Sequence, residues 1–216
     1  MSSTLLREER ATTEPVPAPR RHARGVRVGA GGLALAVALI GLGAVMRSNA
    51  SFAEENVNRQ LAEQRINFKP AEALTAEEKG APCLVRNAGK PLTTGSQAEC
   101  YANNFIGKHL KNVAGGRTYA EMRTVQTTLR TDIEKAQAAG DPAVADLQRQ
   151  LAEATGKRQT LLEGETVRGL LLTSYGFSTL GEKAGQAATV ANLAGGAVLV
   201  LSLALLALAA TRRSRT

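Results

Sequence analysis

Three side chains in the middle of the chain could do chemistry: Cys83, Cys100 and His109. A thiol beside an imidazole is the pattern of an activated nucleophile, with a third group holding the imidazole in place. His109 follows Cys100 by nine residues, and no third orienting group stands out around them. Two thiols and one imidazole also fall short of the tetrahedral set of a structural zinc. What remains for the two cysteines is their union, which an oxidising compartment favours. A disulfide between Cys83 and Cys100 is therefore expected, contributing about 3 kcal/mol in the chain-entropy account of loop closure. Nothing resembles a calcium loop or a phosphate-binding glycine loop. The expectation is no catalytic residue, no metal site and no cofactor.

The elements that position the cysteines set their compartment. Apolar residues make up 44% of the 216-residue chain and aromatics only 3%, and the apolar content gathers in two blocks. Val28–Met46 is nineteen residues without a charge, and Ala187–Ala210 is twenty-four. As helices they extend roughly 28 and 36 Å, enough to cross a hydrocarbon core of ~30 Å. Lipid satisfies no backbone group, and two isolated spans cannot close a barrel, so both must be helical. Ser48-Asn49-Ala50 and Ser51-Phe52-Ala53 each offer a small-x-small cleavage pattern. The first block is nevertheless longer than the roughly 7–15 residues of a signal-peptide core, which favours an uncleaved anchor.

Charge gives the orientation. The net charge of +8 suggests nucleic acid only until it is mapped. Residues 1–27 hold six Arg against three Glu, and residues 211–216 hold three Arg. Residues 48–185 are nearly balanced, with 17 basic and 16 acidic side chains. Basic excess beside the spans is the distribution of cytoplasmic flanks facing anionic headgroups. It gives no support for nucleic-acid binding. The expected arrangement is a disordered basic cytoplasmic tail over 1–27, a transmembrane helix over 28–46 and an extracytoplasmic helical domain over 47–186. A second transmembrane helix over 187–210 and a basic cytoplasmic tail over 211–216 complete it. The compartment is the plasma membrane.

Within the central segment the spacing predicts helices. Ser51 with Glu54, Thr75 with Glu78, Ser96 with Glu99 and Thr118 with Glu121 fit the capping box. The first predicts a juxtamembrane helix to about Arg65 with Val57 and Leu61 on one face. Ile66–Pro70 reads as extended, because the residue before Pro70 avoids the helical region. Residues 80–95, rich in Gly and Pro, read as irregular. Ala98, Ala102, Phe105, Ile106, His109 and Val113 recur at helical spacing until Gly115-Gly116. Tyr119, Met122, Val125, Leu129, Ile133 and Ala136 form a second stripe. Gly140-Asp141-Pro142 breaks it, and Val144, Leu147, Leu151 and Ala154 resume the pattern. Two amphipathic helices joined so closely predict an antiparallel hairpin. Residues 169–180 are apolar, and either finish the core through Leu170–Leu172 or lie on the membrane with Tyr175 and Phe177 at headgroup level.

Small residues recur in both spans. Ala30, Ala34 and Ala38 sit four apart in the first, and Ala191 and Gly195 in the second, where Asn192 is expected to make a packing contact. The simplest partner of one span is the other.

Ile66–Thr75, Gln97–Met122 (QAECYANNFIGKHLKNVAGGRTYAEM) and Gly164–Gly181 (GETVRGLLLTSYGFSTLG) resemble a family of uncharacterised two-span membrane proteins common in actinomycete-type bacteria. The resemblance covers roughly residues 28–210 and implies the two-span architecture. It carries over no activity. Some members are labelled ring-opening dioxygenases, but an iron site needs more His and carboxylate ligands than His109 can anchor. The sequence thus points to an all-α, non-enzymatic envelope protein that scaffolds or regulates a membrane-protein partner or its own oligomer. An extracytoplasmic sensor or ligand-binding subunit, signalling through a lateral partner, is the alternative.

Overall fold

The computed structural model describes the backbone of residues 20–213 and the side chains of residues 25–211. Of the tails expected over 1–27 and 211–216, residues 1–19 and 214–216 lie outside the described residues. Seven α-helices follow in order among the described residues: α1 (Arg20–Glu63), α2 (Ala76–Lys79), α3 (Pro82–Asn87), α4 (Gly95–Cys100), α5 (Gly107–Val113), α6 (Tyr119–Ala139) and α7 (Val144–Arg213). A 3-10 turn covers Ala71–Ala73 and a π-helical turn covers Tyr101–Ile106. No strand forms among the described residues. The described residues divide into two compact bodies, one joining those up to Ala44 with those from Thr189 onward, the other holding Val45–Ala188.

The first body is a pair of apolar helices meeting over small residues. Gly29, Ala36 and Gly43, seven apart, form the buried row of α1. Gly195 and Ser202, again seven apart, are buried on α7. A seven-residue repeat is the spacing of two helices packed nearly parallel to each other's axes. The backbones come close: a Cβ at Gly195 would lie 2.8 Å from Ile40 Cγ1 and 3.2 Å from the Ala36 carbonyl oxygen. A Cβ at Gly29 would lie 2.7 Å from Leu206 Cδ2. The Ala30, Ala34 and Ala38 row is exposed instead. Glycine, with no Cβ, allows the closer backbone approach, so the glycine row takes the interface. Asn192 is likewise exposed rather than packed.

The second body is built on three long segments. α6 ends at Gly140, whose φ of 64° no β-carbon opposes, and the Gly140 and Asp141 amides return to the Ala136 and Gln137 carbonyls. Asp141 Oδ1 accepts from the Ala143 amide at 2.8 Å before α7 begins. The hairpin is thus as the breaker residues predict. Its buried layer is Met122, Ala154 and Leu161 with Leu110 and Ala114 of the preceding segment. Gln126, 4% exposed, donates to Thr155 Oγ1 at 2.8 Å, and Arg158 stacks 4.2 Å over the Tyr119 ring. A larger core joins Val57 and Leu61 of α1, Leu171 of α7, and Phe68, Leu84, Leu92, Ala98, Cys100 and Ala102 between them.

Five local expectations change. The helix over the first apolar block starts at Arg20, within the stretch expected to be disordered. It also runs through Ser51 without restarting, because no Pro or Gly interrupts it there and Ala50 packs under Gly181 and Gly185. Residues 80–95 are not wholly irregular: Pro82 opens α3, where its missing amide hydrogen costs nothing. The cap before α4 is Thr94 with Gln97, not Ser96 with Glu99. Residues 169–180 form no separate helix; they lie inside α7, which continues past Glu182 and Lys183 because single glycines cost only about 1 kcal/mol and no proline stands in its way.

Candidate functional site

The residues able to do chemistry are placed first by the disulfide. Cys83 sits in α3 and Cys100 at the end of α4, with Cα atoms 6.0 Å apart and their sulfurs bonded. The bond consumes both thiols, so Cys100 offers His109 no proton to take. His109 is exposed on α5. Asn104 donates to Cys83 Sγ at 3.3 Å, tying the π-helical turn to the bridge. Among the described residues, no group of three His, Cys, Asp or Glu could hold a metal.

A charged pair stands beside the bridge. The Thr75–Glu78 capping box forms as its spacing predicts. Lys69 Nζ donates to Glu78 Oε1 at 2.8 Å, and the Thr75 amide donates to Oε2 at 2.8 Å. These bonds, the lysine's first, hold the Glu78 carboxyl below its ordinary range. Lys69 is positioned by the Phe68 and Leu92 amides, which donate to the Lys90 and Ile66 carbonyls. Its ammonium lies 5.0 Å from the Phe105 ring centre. Tyr101 packs edge-on to Phe68, and burial, followed by the nearby Glu78 charge, pushes its phenol up. These groups satisfy one another, and the arrangement is that of a structural clasp.

A groove of about 570 Å³ lies between α1 and α7 of this body. From α1 come Phe52, Asn56, Val57, Gln60 and Leu61, with Gln64 in the turn that follows; from α7 come Val167, Leu170, Leu171, Ser174 and Phe177. None of its lining residues is charged. The helices run antiparallel: a Cβ at Gly181 would lie 3.3 Å from Ala53 Cβ, so Phe177, one turn before Gly181, falls nearer the level of Val57 than of Phe52. Leu61 and Leu171 form the buried floor, while Phe52 (67%), Leu170 (64%) and Phe177 (58%) stand exposed on the walls. Asn56 and Gln60 on α1 and Gln64 in the turn just after it place three amides four residues apart. Asn56 Oδ1 accepts from Arg59 at 3.3 Å and from Gln60 at 3.5 Å. On the other wall, Thr173 and Ser174 donate their hydroxyls to carbonyls of their own helix. The groove presents apolar area, three amides and two hydroxyls already donated to their own helix, and no charged side chain lines it.

Sequence reasoning reached the floor, through Val57 and Leu61, and the far wall, through Leu170–Leu172 and Phe177. It missed the amide row, although Asn56, Gln60 and Gln64 at four-residue spacing carry that information. Compared with known proteins, the chain matches no family model, no curated protein and no solved structure.

Proposed function

We propose that the chain is a non-enzymatic integral membrane protein of the cell envelope. α1 and α7 cross the plasma membrane, both ends lie in the cytoplasm, and the body over 45–188 stands outside, where it scaffolds or regulates a partner in the same bilayer. The observation that carries this reading is apolar surface without cover. The most apolar windows of α1 and α7 are only 17% and 11% buried, whereas a core helix of a soluble protein is mostly buried. Six large apolar side chains of 28–46 and seven of 187–210 are exposed. At ~1.5–3 kcal/mol for each such side chain fully buried, half-covering them is worth on the order of 10 kcal/mol. That rivals the whole stability of a domain, about 5–15 kcal/mol, so water is a poor solvent for this surface and lipid a good one.

The basic flanks and the disulfide support the orientation, since a bridged pair belongs in an oxidising compartment. The uncharged groove supports a protein that binds rather than catalyses. The same groove favours a second reading, a ligand-binding subunit, which ligand-dependent thermal stabilisation of the full chain in detergent would reveal.

The test is fractionation and labelling. The chain should resist alkaline carbonate extraction from membranes. A Thr128→Cys variant should react with a membrane-impermeant maleimide in intact cells, while a Ser214→Cys variant should react only after lysis. Recovery of the chain in the carbonate supernatant would overturn the membrane reading, and the reverse labelling would overturn the orientation.

A further inference from the structure

The α1–α7 layer of the second body has two faces and only one is covered. On one side, α4 and α5 lie against α7: a Cβ at Gly95 would meet the Tyr175 backbone at 3.4 Å, and one at Gly107 would meet Arg168 Nε at 3.3 Å. The groove is the other side. Its residues alternate spacings of three and four, as in a bundle core: Ala53, Val57 and Gln60 on α1 with Gln64 in the turn after it, and Val167, Leu170, Ser174 and Phe177 on α7. Beside that row, Gly169 and Gly176 have open space where a β-carbon would stand. Two antiparallel helices with such an open face are half of a four-helix bundle.

From this geometry we infer that the groove is closed by the same groove of a second copy. The inference rests on the membrane reading above. Two copies sharing one bilayer in one orientation are related by a two-fold axis along its normal, so a face meets itself at its own level. A face that meets itself must bring no like charges together, and none of the groove's lining residues is charged. Each level then pairs like with like. Phe52 and Phe177 each meet their own counterpart. Leu170, 64% exposed, meets its counterpart near the axis. The amides of Asn56, Gln60 and Gln64 meet equivalent amides, each able to donate and accept, which fixes the register of the bundle. A charged partner finds no counter-charge in this lining.

Gln60→Cys and Leu170→Cys, each in the full chain in native membranes, are treated with a short bis-maleimide, with Thr128→Cys on α6 as control. Both groove variants should move mostly into a product of about twice the 22.7 kDa chain, and the control should not. Leu170→Glu in the Gln60→Cys background sets two carboxylates together at the axis and should abolish that product at least tenfold. Groove variants that stay at the mass of one chain, or that join a different protein or a lipid, would overturn the inference. So would a doubled product from Thr128→Cys alone, or one indifferent to Leu170→Glu. Carbonate extraction of the same samples separates the two ideas: a chain held in the membrane but uncrosslinked sinks the self-association alone, whereas a chain released from the membrane sinks the reading beneath it.

Discussion

Cys83 and Cys100 fix the ends of a segment whose own helices are too short to persist unaided. α3 and α4 have six residues each, well below the ~12 needed for an isolated helix to hold in water. Their order is imposed by the core and by the bridge. Replacing both cysteines by serine, so that no lone thiol is left, should lower stability by about 3 kcal/mol, measured by denaturant unfolding of the full chain in detergent. A loss under ~1 kcal/mol would mean that the core alone orders the segment. Glu78 provides a second test with a defined sign. Its folded pKa is depressed below the ordinary 4.5 by Lys69 and Thr75. The stability linked to its charge is therefore complete above the unfolded value and is lost as pH falls through the folded one. Wild type should melt above Glu78→Gln at about pH 7, and the gap should close towards about pH 3. A gap that is constant with pH would show that the carboxylate's charge contributes nothing.

Among the elements, the boundaries that the sequence reveals are those enforced within a few residues. Thr75 with Glu78, Thr118 with Glu121, and Gly140 each complete their geometry with partners at most four positions away. Ser51 with Glu54 has the same letters but lies inside a helix already running, where the backbone amides have their own carbonyls and need no cap. Ser96 with Glu99 loses to Thr94 with Gln97, whose side chain also reaches Thr93 and Asn87. Such a choice depends on residues ten positions apart and is not visible in a four-residue pattern. The groove is hidden for a related reason: its walls come from segments more than one hundred residues apart. Close packing between elements has a checkable consequence where α5 meets α7. A Cβ at Gly164 would lie 2.9 Å from Leu110 Cδ1, and Leu110 is buried at 4% exposure with little freedom to yield. Gly164→Val should cost about 1–3 kcal/mol, as overpacking does. Gly156 has open space around its α-carbon on the same helix, so Gly156→Ala should gain up to ~1 kcal/mol. Paired denaturant curves for the two variants should move in opposite directions, and movement in the same direction would refute the contact at Leu110.

For the whole molecule, the question is which solvent surrounds the apolar stretches, and one substitution makes the two answers differ in sign. Leu201 lies near the middle of 187–210 and is 65% exposed on α7, turned away from the row that faces α1. If that side faces hydrocarbon, Leu201→Arg places a charge where it costs about 2.5–3.5 kcal/mol, enough to shift insertion by roughly a hundredfold. The share of chain resisting carbonate extraction should fall. If water surrounds the helix, the same change removes exposed apolar area and adds a solvated charge, so the chain should become more soluble and no less stable. Ser202, one position on, is buried at 4% exposure in the first body, and Ser202→Arg would disrupt helix packing in either solvent. The two neighbours therefore separate the effects: a loss of insertion at both positions fits lipid outside the pair, whereas a loss at Ser202 with a gain in solubility at Leu201 would remove lipid from the account and the proposed function with it.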